Sequence, residues 1–281
     1  MSGLDENVPS RTPDAPGDTF NPTIDPQSKD DTNIFPLDGV DINGVSNEDL
    51  VRLAETAPVL YQIGSGKVLR ISHGLVLKCG PLVLPSEGGR PYGVLRDEGF
   101  LVMDYVKGQN LGDCWKSLTK HQKDDVICQT AEIISQLQSI PIPTAGRLGG
   151  GPCRGIFVTD YGAGPFNSGS EMEAWFNHKL KICKDYNQAA QDVPSFRFRE
   201  FVLVHQDISP RNMILDDSGK VHLIDWAHAG AYPPAFERAA IAGQHRFPEF
   251  NKMILDVIQK YDVQVRQLQS IWYGLTVASL A

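Results

Sequence analysis

The stretch VHQDISPRNMILDDSGKVHLIDW, residues 204–226, restricts the possible folds of this chain more than any other segment. Its second half has two apolar runs around Asp-Asp-Ser-Gly, which is typical of a β-hairpin. If Ser218 and Gly219 form a two-residue loop, the antiparallel register places Asn212 directly opposite Asp225. The hairpin is therefore predicted to bring an amide oxygen and a carboxylate side by side.

Amide and carboxylate oxygens are suitable ligands for Mg²⁺, which binds few protein groups and keeps phosphate oxygens and water. Asp207 lies on the loop that enters the hairpin, five residues before Asn212, so it can reach the same place. A cation site beside a carboxylate that accepts a hydroxyl proton is what phosphoryl transfer needs. A single D-x-x-x-x-N match is weak, because Asp and Asn are common turn residues. The joint pattern of H-x-D-x-x-x-x-N, a hairpin and a final Ile-Asp is more demanding.

In HQDISPRN and LIDW the chain resembles the aminoglycoside phosphotransferase and choline kinase-like family. Four further segments are similar to its fungal members, namely APVLYQIGSGKVLRIS, FLVMDYVKGQNL, GPFNS and WAHAGAYPP. The resemblance covers residues 46–277. It implies an α+β, protein-kinase-like fold with a small antiparallel β lobe and a larger, mainly helical lobe. It also implies ATP- and Mg²⁺-dependent phosphate transfer to a hydroxyl of a small molecule. In such an enzyme Asp207 is the catalytic base, Asn212 and Asp225 are the metal ligands, and His205 is a structural anchor.

The nucleotide is expected to bind in the N-terminal lobe. Lys78 ends the run LVLKCG, where an inward-facing lysine contacts phosphates as a point charge, although lysines at strand ends also commonly extend into water. Gly64 and Gly66, in GSGK, predict a turn over the phosphates, but the full G-x-G-x-x-G is absent. MDYV resembles the family's hinge between the lobes, which implies that Asp104 and Val106 lie beside the adenine.

The composition changes along the chain and suggests three parts. Residues 1–45 contain nine acids and two bases, which accounts for −7 of the net charge of −8. This segment has few apolar residues, so we expect a disordered acidic tail. Residues 46–106 are predicted to form the β-rich nucleotide-binding lobe and 107–281 the helical catalytic lobe. Ser46 and Thr119 are candidate N-caps of helices that reach to about Ala57 and Ser139.

The same features exclude several classes of function. Outside the tail the chain is nearly neutral, so nothing predicts nucleic-acid binding. There is neither a secretory signal nor an apolar run long enough to span a membrane. Five scattered cysteines without C-x-x-C spacing favour a reducing, cytoplasmic location. Neither the oligomeric state nor the acceptor is indicated, since Glu171, Glu173 and Asp185 suit a cation but also suit solvated helix faces.

One departure from the family concerns residues 79–99, which contain five glycines and three prolines. Kinase-like folds place a helix here, and its glutamate pairs with the strand lysine, but this composition forbids a normal helix. Glu87 is the remaining candidate partner for Lys78. The chain is thus either a catalytically impaired pseudokinase, acting as a nucleotide-binding or interaction module, or a sequence that lacks an internal segment. A true protein kinase is disfavoured because Trp-Ala follows Asp225 in place of Phe-Gly.

Overall fold

The computed structural model describes residues 33–81, 83, 90–95 and 98–280. The N-terminal lobe is an antiparallel sheet with the strand order β1-β2-β3-β5-β4. Its strands are β1 (Val59–Ile63), β2 (Gly66–Arg70), β3 (Leu75–Gly80), β4 (Arg90–Leu95) and β5 (Glu98–Asp104). Gly64, with φ of 54°, begins the two-residue turn between β1 and β2, as is usual for a type II′ hairpin.

Helix α1 (Asn47–Thr56) covers one face of this sheet. The hydroxyl of Ser46 accepts a hydrogen bond from the N–H of Asp49 at 3.1 Å, so the predicted N-cap is confirmed. The apolar side of the helix packs with residues of β2, β3 and β5. This buried cluster consists of Leu50, Leu53, Ala57, Leu69, Ile71, Leu77, Cys79, Phe100 and Val102.

The chain already packs on the sheet before α1. Phe35 is only 9% exposed, and the N–H of Leu37 donates to the carbonyl of Ile71 at 2.8 Å. We expected residues 33–45 to belong to the disordered tail, and this was wrong, because their few apolar side chains find a partner surface on the lobe. Residues 1–32, the rest of the predicted tail, lie outside the described residues.

The interval between β3 and β4 is short compared with the helix that kinase-like folds carry there. It consists of residues 81–89, of which those the structure describes, 81 and 83, are not helical. A helix of about 10–12 residues with its connections does not fit in this interval. Glu87, the partner considered for Lys78, lies outside the described residues.

The C-terminal lobe is mainly helical. Its helices are α2 (Leu111–Cys114), α3 (Lys120–Gln138), α4 (Gly169–Asp185), α5 (Ala235–Ala242), α6 (Pro248–Val257), α7 (Asp262–Ser270) and α8 (Trp272–Leu275). Its short strands are β6 (Gln109–Asn110), β7 (Gly146–Arg147), β8 (Val202–Val204), β9 (Met213–Leu215), β10 (Val221–Leu223) and β11 (Gly230–Tyr232). They form sheets of order β10-β9-β6 and β7-β11-β8.

Thr119 caps α3, as the sequence predicted, and the structure adds a capping box with Gln122. One buried cluster lies between α3, α6 and the β9–β10 hairpin, and a second lies beneath α4, α5 and α7. Among the helices of the described ranges, none combines the length and the apolar character that crossing a membrane requires.

The β9–β10 hairpin does not have the predicted register. Leu215 pairs with Val221, and the N–H of Ile224 donates to the carbonyl of Asn212 at 2.9 Å. Asn212 therefore lies opposite Ile224 and not opposite Asp225, so the prediction was wrong by one residue.

The cause is the side chain of Asp216. Its Oδ1 accepts hydrogen bonds from the N–H groups of Ser218 and Lys220, both at 2.9 Å, as aspartate does in turns that it closes on its own backbone. Gly219, with φ of 83°, then takes the left-handed position. The loop has three residues, 217–219, which is the next most common hairpin length after two.

Candidate active site

The loop of residues 205–212, called the catalytic loop below, follows β8 and is anchored on a buried acid. Glu237, on α5, is 1% exposed and accepts hydrogen bonds from the N–H of His205 at 2.6 Å and of Gln206 at 3.0 Å. Burial raises the pKa of Glu237 to about 7, against the lowering effect of these bonds. Gln206 has φ of 65°, which is uncommon outside glycine. The anchor therefore fixes a turn in the backbone immediately before Asp207.

His205 connects the catalytic loop to the end of the hairpin. Its Nδ1 accepts a hydrogen bond from the N–H of Asp207 at 3.2 Å, and its Nε2 lies 3.1 Å from the carbonyl oxygen of Ile224. Both contacts fit the neutral ring with its proton on Nε2, a tautomer assigned from the hydrogen-bond partners. Burial lowers the pKa of His205 to about 4, which keeps the ring neutral. The ring thus holds Asp207 and the residue before Asp225 in one network.

Asp207 and Asn212 are in direct contact. The amide Nδ2 of Asn212 donates to Oδ2 and to the backbone carbonyl of Asp207, both at 2.8 Å. The guanidinium Nη2 of Arg211 lies 2.8 Å from Oδ1 and 2.9 Å from Oδ2 of the same carboxylate. Because the amide nitrogen of Asn212 makes both bonds to Asp207, its Oδ1 is the side-chain atom that remains for a cation.

Lys78 and Asp225 meet across the two lobes. The Nζ of Lys78 donates to Oδ1 of Asp225 at 2.9 Å. Asp225 has φ of 63°, so the chain changes direction after β10 and aims this side chain away from the course of the strand. Burial acts to raise the pKa of Asp225, but the charge of Lys78 and its hydrogen bond lower it overall. The strand lysine is therefore paired with an acid of the other lobe.

The remaining predicted nucleotide residues lie in the N-terminal lobe. Gly64 is in the β1–β2 turn and Gly66 is the first residue of β2. A Cβ added to Gly80 would lie 3.0 Å from the Cα of Gly66, so the strands approach closely here. Asp104 ends β5 and is exposed, and Val106 follows it and is half-buried. The roles of these four residues in nucleotide binding stay predictions.

The oxygens of Asn212 and Asp225 are of the type that binds Mg²⁺. This cation takes one or two protein oxygens and completes its shell with phosphates and water, so this donor set fits it. In the described ranges, no group of three or more His, Cys, Asp or Glu side chains is placed to hold a metal by itself. A cation at this place would thus depend on phosphate oxygens as well.

The three acids considered for a cationic acceptor all have partners within the chain. Those pairs are Glu171 with Asn167, Glu173 with Arg197, and Asp185 with Lys181. Each acid therefore has a local structural contact, and the three give no support to a cationic acceptor.

Two residues of the site were missed by sequence reasoning. Arg211 lies four residues after Asp207, a spacing at which side chains of opposite charge commonly meet on a helical turn, and this signal was available. Glu237 stands between Phe236 and Arg238 in YPPAFERAA, where an exposed acid would be equally ordinary. Its burial and its partners in the catalytic loop follow only from the tertiary fold.

Comparison with known proteins gives a family match over most of the chain. The sequence profile of APH, the phosphotransferase enzyme family, matches residues 73–267. A curated relative, the dual specificity mitogen-activated protein kinase kinase jkk-1 of Caenorhabditis elegans, is 30% identical over 79 residues, which are 28% of this chain and 17% of that protein. The chain thus spans less than a fifth of this relative's length.

Solved structures match a larger share of the chain. The ternary complex of streptomycin, ATP and APH(2'')-IIa is 15% identical and has a TM-score of 0.50, with 81% of this chain and 86% of that chain covered. The ADP-bound aminoglycoside phosphotransferase APH(2'')-Ib is 17% identical, with a TM-score of 0.49 over 80% and 86% of the two chains. The likeness to the first shows a common fold and confirms the predicted protein-kinase-like architecture.

Proposed function

The chain belongs to the phosphotransferase enzyme family, whose profile matches residues 73–267, and from this premise we propose that it transfers the γ-phosphoryl group of ATP to a hydroxyl of a small molecule. Asp207 is the base, Asn212 and Asp225 hold Mg²⁺, and Lys78 contacts the phosphates. The streptomycin–ATP complex of APH(2'')-IIa, which has this fold, supports the choice of nucleotide.

The observation that carries the proposal is the network around His205. One ring nitrogen bonds the backbone of Asp207 and the other bonds the backbone of Ile224, next to Asp225. Asn212 bonds Asp207 through its side chain and Ile224 through its carbonyl. The backbone that carries Asp207 and the residue before Asp225 is thereby fixed by one buried ring, and Asn212 joins the same two segments. Such preorganisation is what phosphoryl transfer requires.

In the proposed reaction the acceptor oxygen attacks the γ-phosphorus. The bond from this phosphorus to the bridging oxygen breaks, ADP leaves with the electron pair, and Asp207 takes the acceptor's proton. Lys78 contributes a positive charge beside the phosphates. When bound, Mg²⁺ neutralises phosphate charge. Gly64, Gly66, Asp104 and Val106 line the nucleotide side of the proposed site.

The alternative, a nucleotide-binding module without transfer activity, rested on the lack of a helix glutamate to orient Lys78. The contact between Lys78 and Asp225 weakens that argument, because it gives the lysine a carboxylate partner at 2.9 Å. We therefore do not favour the alternative.

The test is Asp225→Asn, assayed as Mg-ATP-dependent ADP release with water alone and with a panel of sugars, amino alcohols and nucleosides. We expect a loss of about 100-fold or more, as when one electrostatic contact to a transition state is removed, since the change removes the charge of a proposed Mg²⁺ ligand. Asp217→Ala is the matched control, because Asp217 is an exposed acid of the same hairpin. Turnover that is unchanged in Asp225→Asn would refute the site assignment.

A further inference from the structure

The carboxylate of Asp207 already has donors on both oxygens. Arg211 Nη2 contacts Oδ1 at 2.8 Å and Oδ2 at 2.9 Å, and Asn212 contacts Oδ2 at 2.8 Å. A base that is to accept a hydroxyl proton needs an oxygen that the hydroxyl can reach. An acceptor hydroxyl has to reach the carboxylate beside these donors or in place of one of them.

The two donors differ in how easily they can leave. Asn212 is 6% exposed, and its amide also bonds the backbone of Asp207. The side chain of Arg211 is 43% exposed, whereas that of Asp207 is 15% exposed. The guanidinium therefore covers the carboxylate from the solvent side.

The backbone of Arg211 is held independently of its side chain. Its carbonyl accepts a hydrogen bond from Nδ2 of Asn110 at 2.8 Å, and it lies in a 3₁₀ turn at Pro210–Asn212. The guanidinium can thus swing away from Asp207 without a change in the loop. Exposed ion pairs are weak enough for such an exchange, at about a fivefold change in equilibrium.

We propose that Arg211 is a positioning residue that covers Asp207 until an acceptor hydroxyl displaces it. This inference rests on the proposed function. Its consequence is that water, which is always present, is kept from acting as the acceptor. In that side reaction a water oxygen would attack the γ-phosphorus, the bond to the bridging oxygen would break, ADP would leave with the electron pair, and Asp207 would take the water's proton.

The experiment measures ADP release from Mg-ATP with water as the only acceptor. Arg211→Gln is expected to raise the kcat of this release about fivefold and to leave the KM for ATP unchanged. Arg211→Lys keeps the charge but loses the planar fork, so we expect a smaller rise of about twofold. A purely structural role would lower kcat or change both constants.

Arg266→Gln is the matched control. Arg266 Nη2 contacts the two oxygens of Asp192 at 2.8 and 3.0 Å, which is nearly the same geometry on an exposed face. We expect no change in ADP release. Thermal unfolding of each variant checks that it is folded. If Arg211→Gln does not fold, the proposal is tested by whether Arg211→Lys raises the kcat of ADP release.

Asp207→Asn separates the two proposals. If it abolishes ADP release while Arg211→Gln and Arg211→Lys leave kcat unchanged or lower it, the inference about Arg211 is overturned and the proposed function stands. If Asp207→Asn releases ADP at the normal rate, the assignment of the base falls, and the role of Arg211 falls with it. The double variant Asp207→Asn/Arg211→Gln should match Asp207→Asn alone.

Discussion

Two parts of the site, the catalytic loop and the side chain of Lys78, are held by contacts of different kinds. The loop is fixed from inside the C-terminal lobe, where Glu237 and His205 are buried and bond its backbone. Lys78 is held through a partly exposed contact with Asp225, which belongs to the other lobe. The comparison indicates that the backbone around Asp207 is preorganised by the core of its own lobe, whereas the position of Lys78 depends on how the lobes meet.

The largest effect is expected from Glu237→Ala. At pH 5 we expect a loss of about 2–6 kcal/mol in the free energy of unfolding, because two buried N–H groups lose their acceptor at roughly 1–3 kcal/mol each. Urea unfolding measures it. Asp192→Ala is the control, since Asp192 forms an exposed ion pair, and it should lose little. If the two variants lose equally little, the buried anchor does not hold the loop.

The loss of stability in Glu237→Ala should become smaller as the pH rises. Burial raises the pKa of Glu237 from 4.5 to about 7, so the folded protein binds the proton more tightly than the unfolded chain. The stabilisation from this acid is therefore fully present below pH 4.5 and is lost as the pH rises through about 7. We expect the difference between wild type and Glu237→Ala to shrink by roughly 2–3 kcal/mol between pH 5 and pH 8.

A second buried group, His205, also makes the stability of the wild type depend on pH, so the effect of Glu237 has to be measured as the difference in unfolding free energy between wild type and Glu237→Ala. Its pKa is lowered from 6.5 to about 4, so its contribution is present above pH 6.5 and is lost as the pH falls through about 4. In wild type alone this trend opposes that of Glu237. The contribution of His205 cancels when the unfolding free energy of Glu237→Ala is subtracted from that of the wild type, if His205 stays buried in both. A difference that is constant from pH 5 to pH 8 would contradict the raised pKa of Glu237.

The sequence was sufficient wherever the signals were local. The caps of α1 and α3 follow from Ser46 and Thr119, whose side chains bond residues three positions ahead. The contact of Asp207 with Asn212 follows from their spacing of five residues within one loop. Short-range hydrogen bonds of this kind are determined by residue type and order.

Other features depend on choices that the sequence leaves open. The segment around Ser218-Gly219 suits loops of two or three residues, and the bonds of Asp216 to the backbone select the longer one. The anchor at Glu237 joins segments about 30 residues apart, since the hydrogen bonds to residues 205 and 206 span 32 and 31 positions. Such a contact depends on how α5 packs, which no local pattern encodes.

The smallest effect on stability is expected from Lys78→Ala, which tests the other side of the comparison. The side chains of Lys78 and Asp225 are 20% and 43% exposed, so solvent screens their attraction and the loss should stay below about 1 kcal/mol. Lys123→Ala is the matched control, because Lys123 contacts Glu249 at the same 2.9 Å with 15% and 56% exposure. A similarly small loss of stability is expected there.

The two lysine variants should differ in nucleotide binding. If Lys78 contacts the phosphates, its removal costs a charge-assisted hydrogen bond, and the affinity for Mg-ATP should fall about tenfold or more. Lys123 lies on α3 and pairs with Glu249 of α6, and Lys123→Ala should bind Mg-ATP as the wild type does. A fluorescent ATP analogue in a titration measures both. Equal affinities would mean that Lys78 only joins the lobes, and the phosphate contact would have to be sought on another residue of the N-terminal lobe.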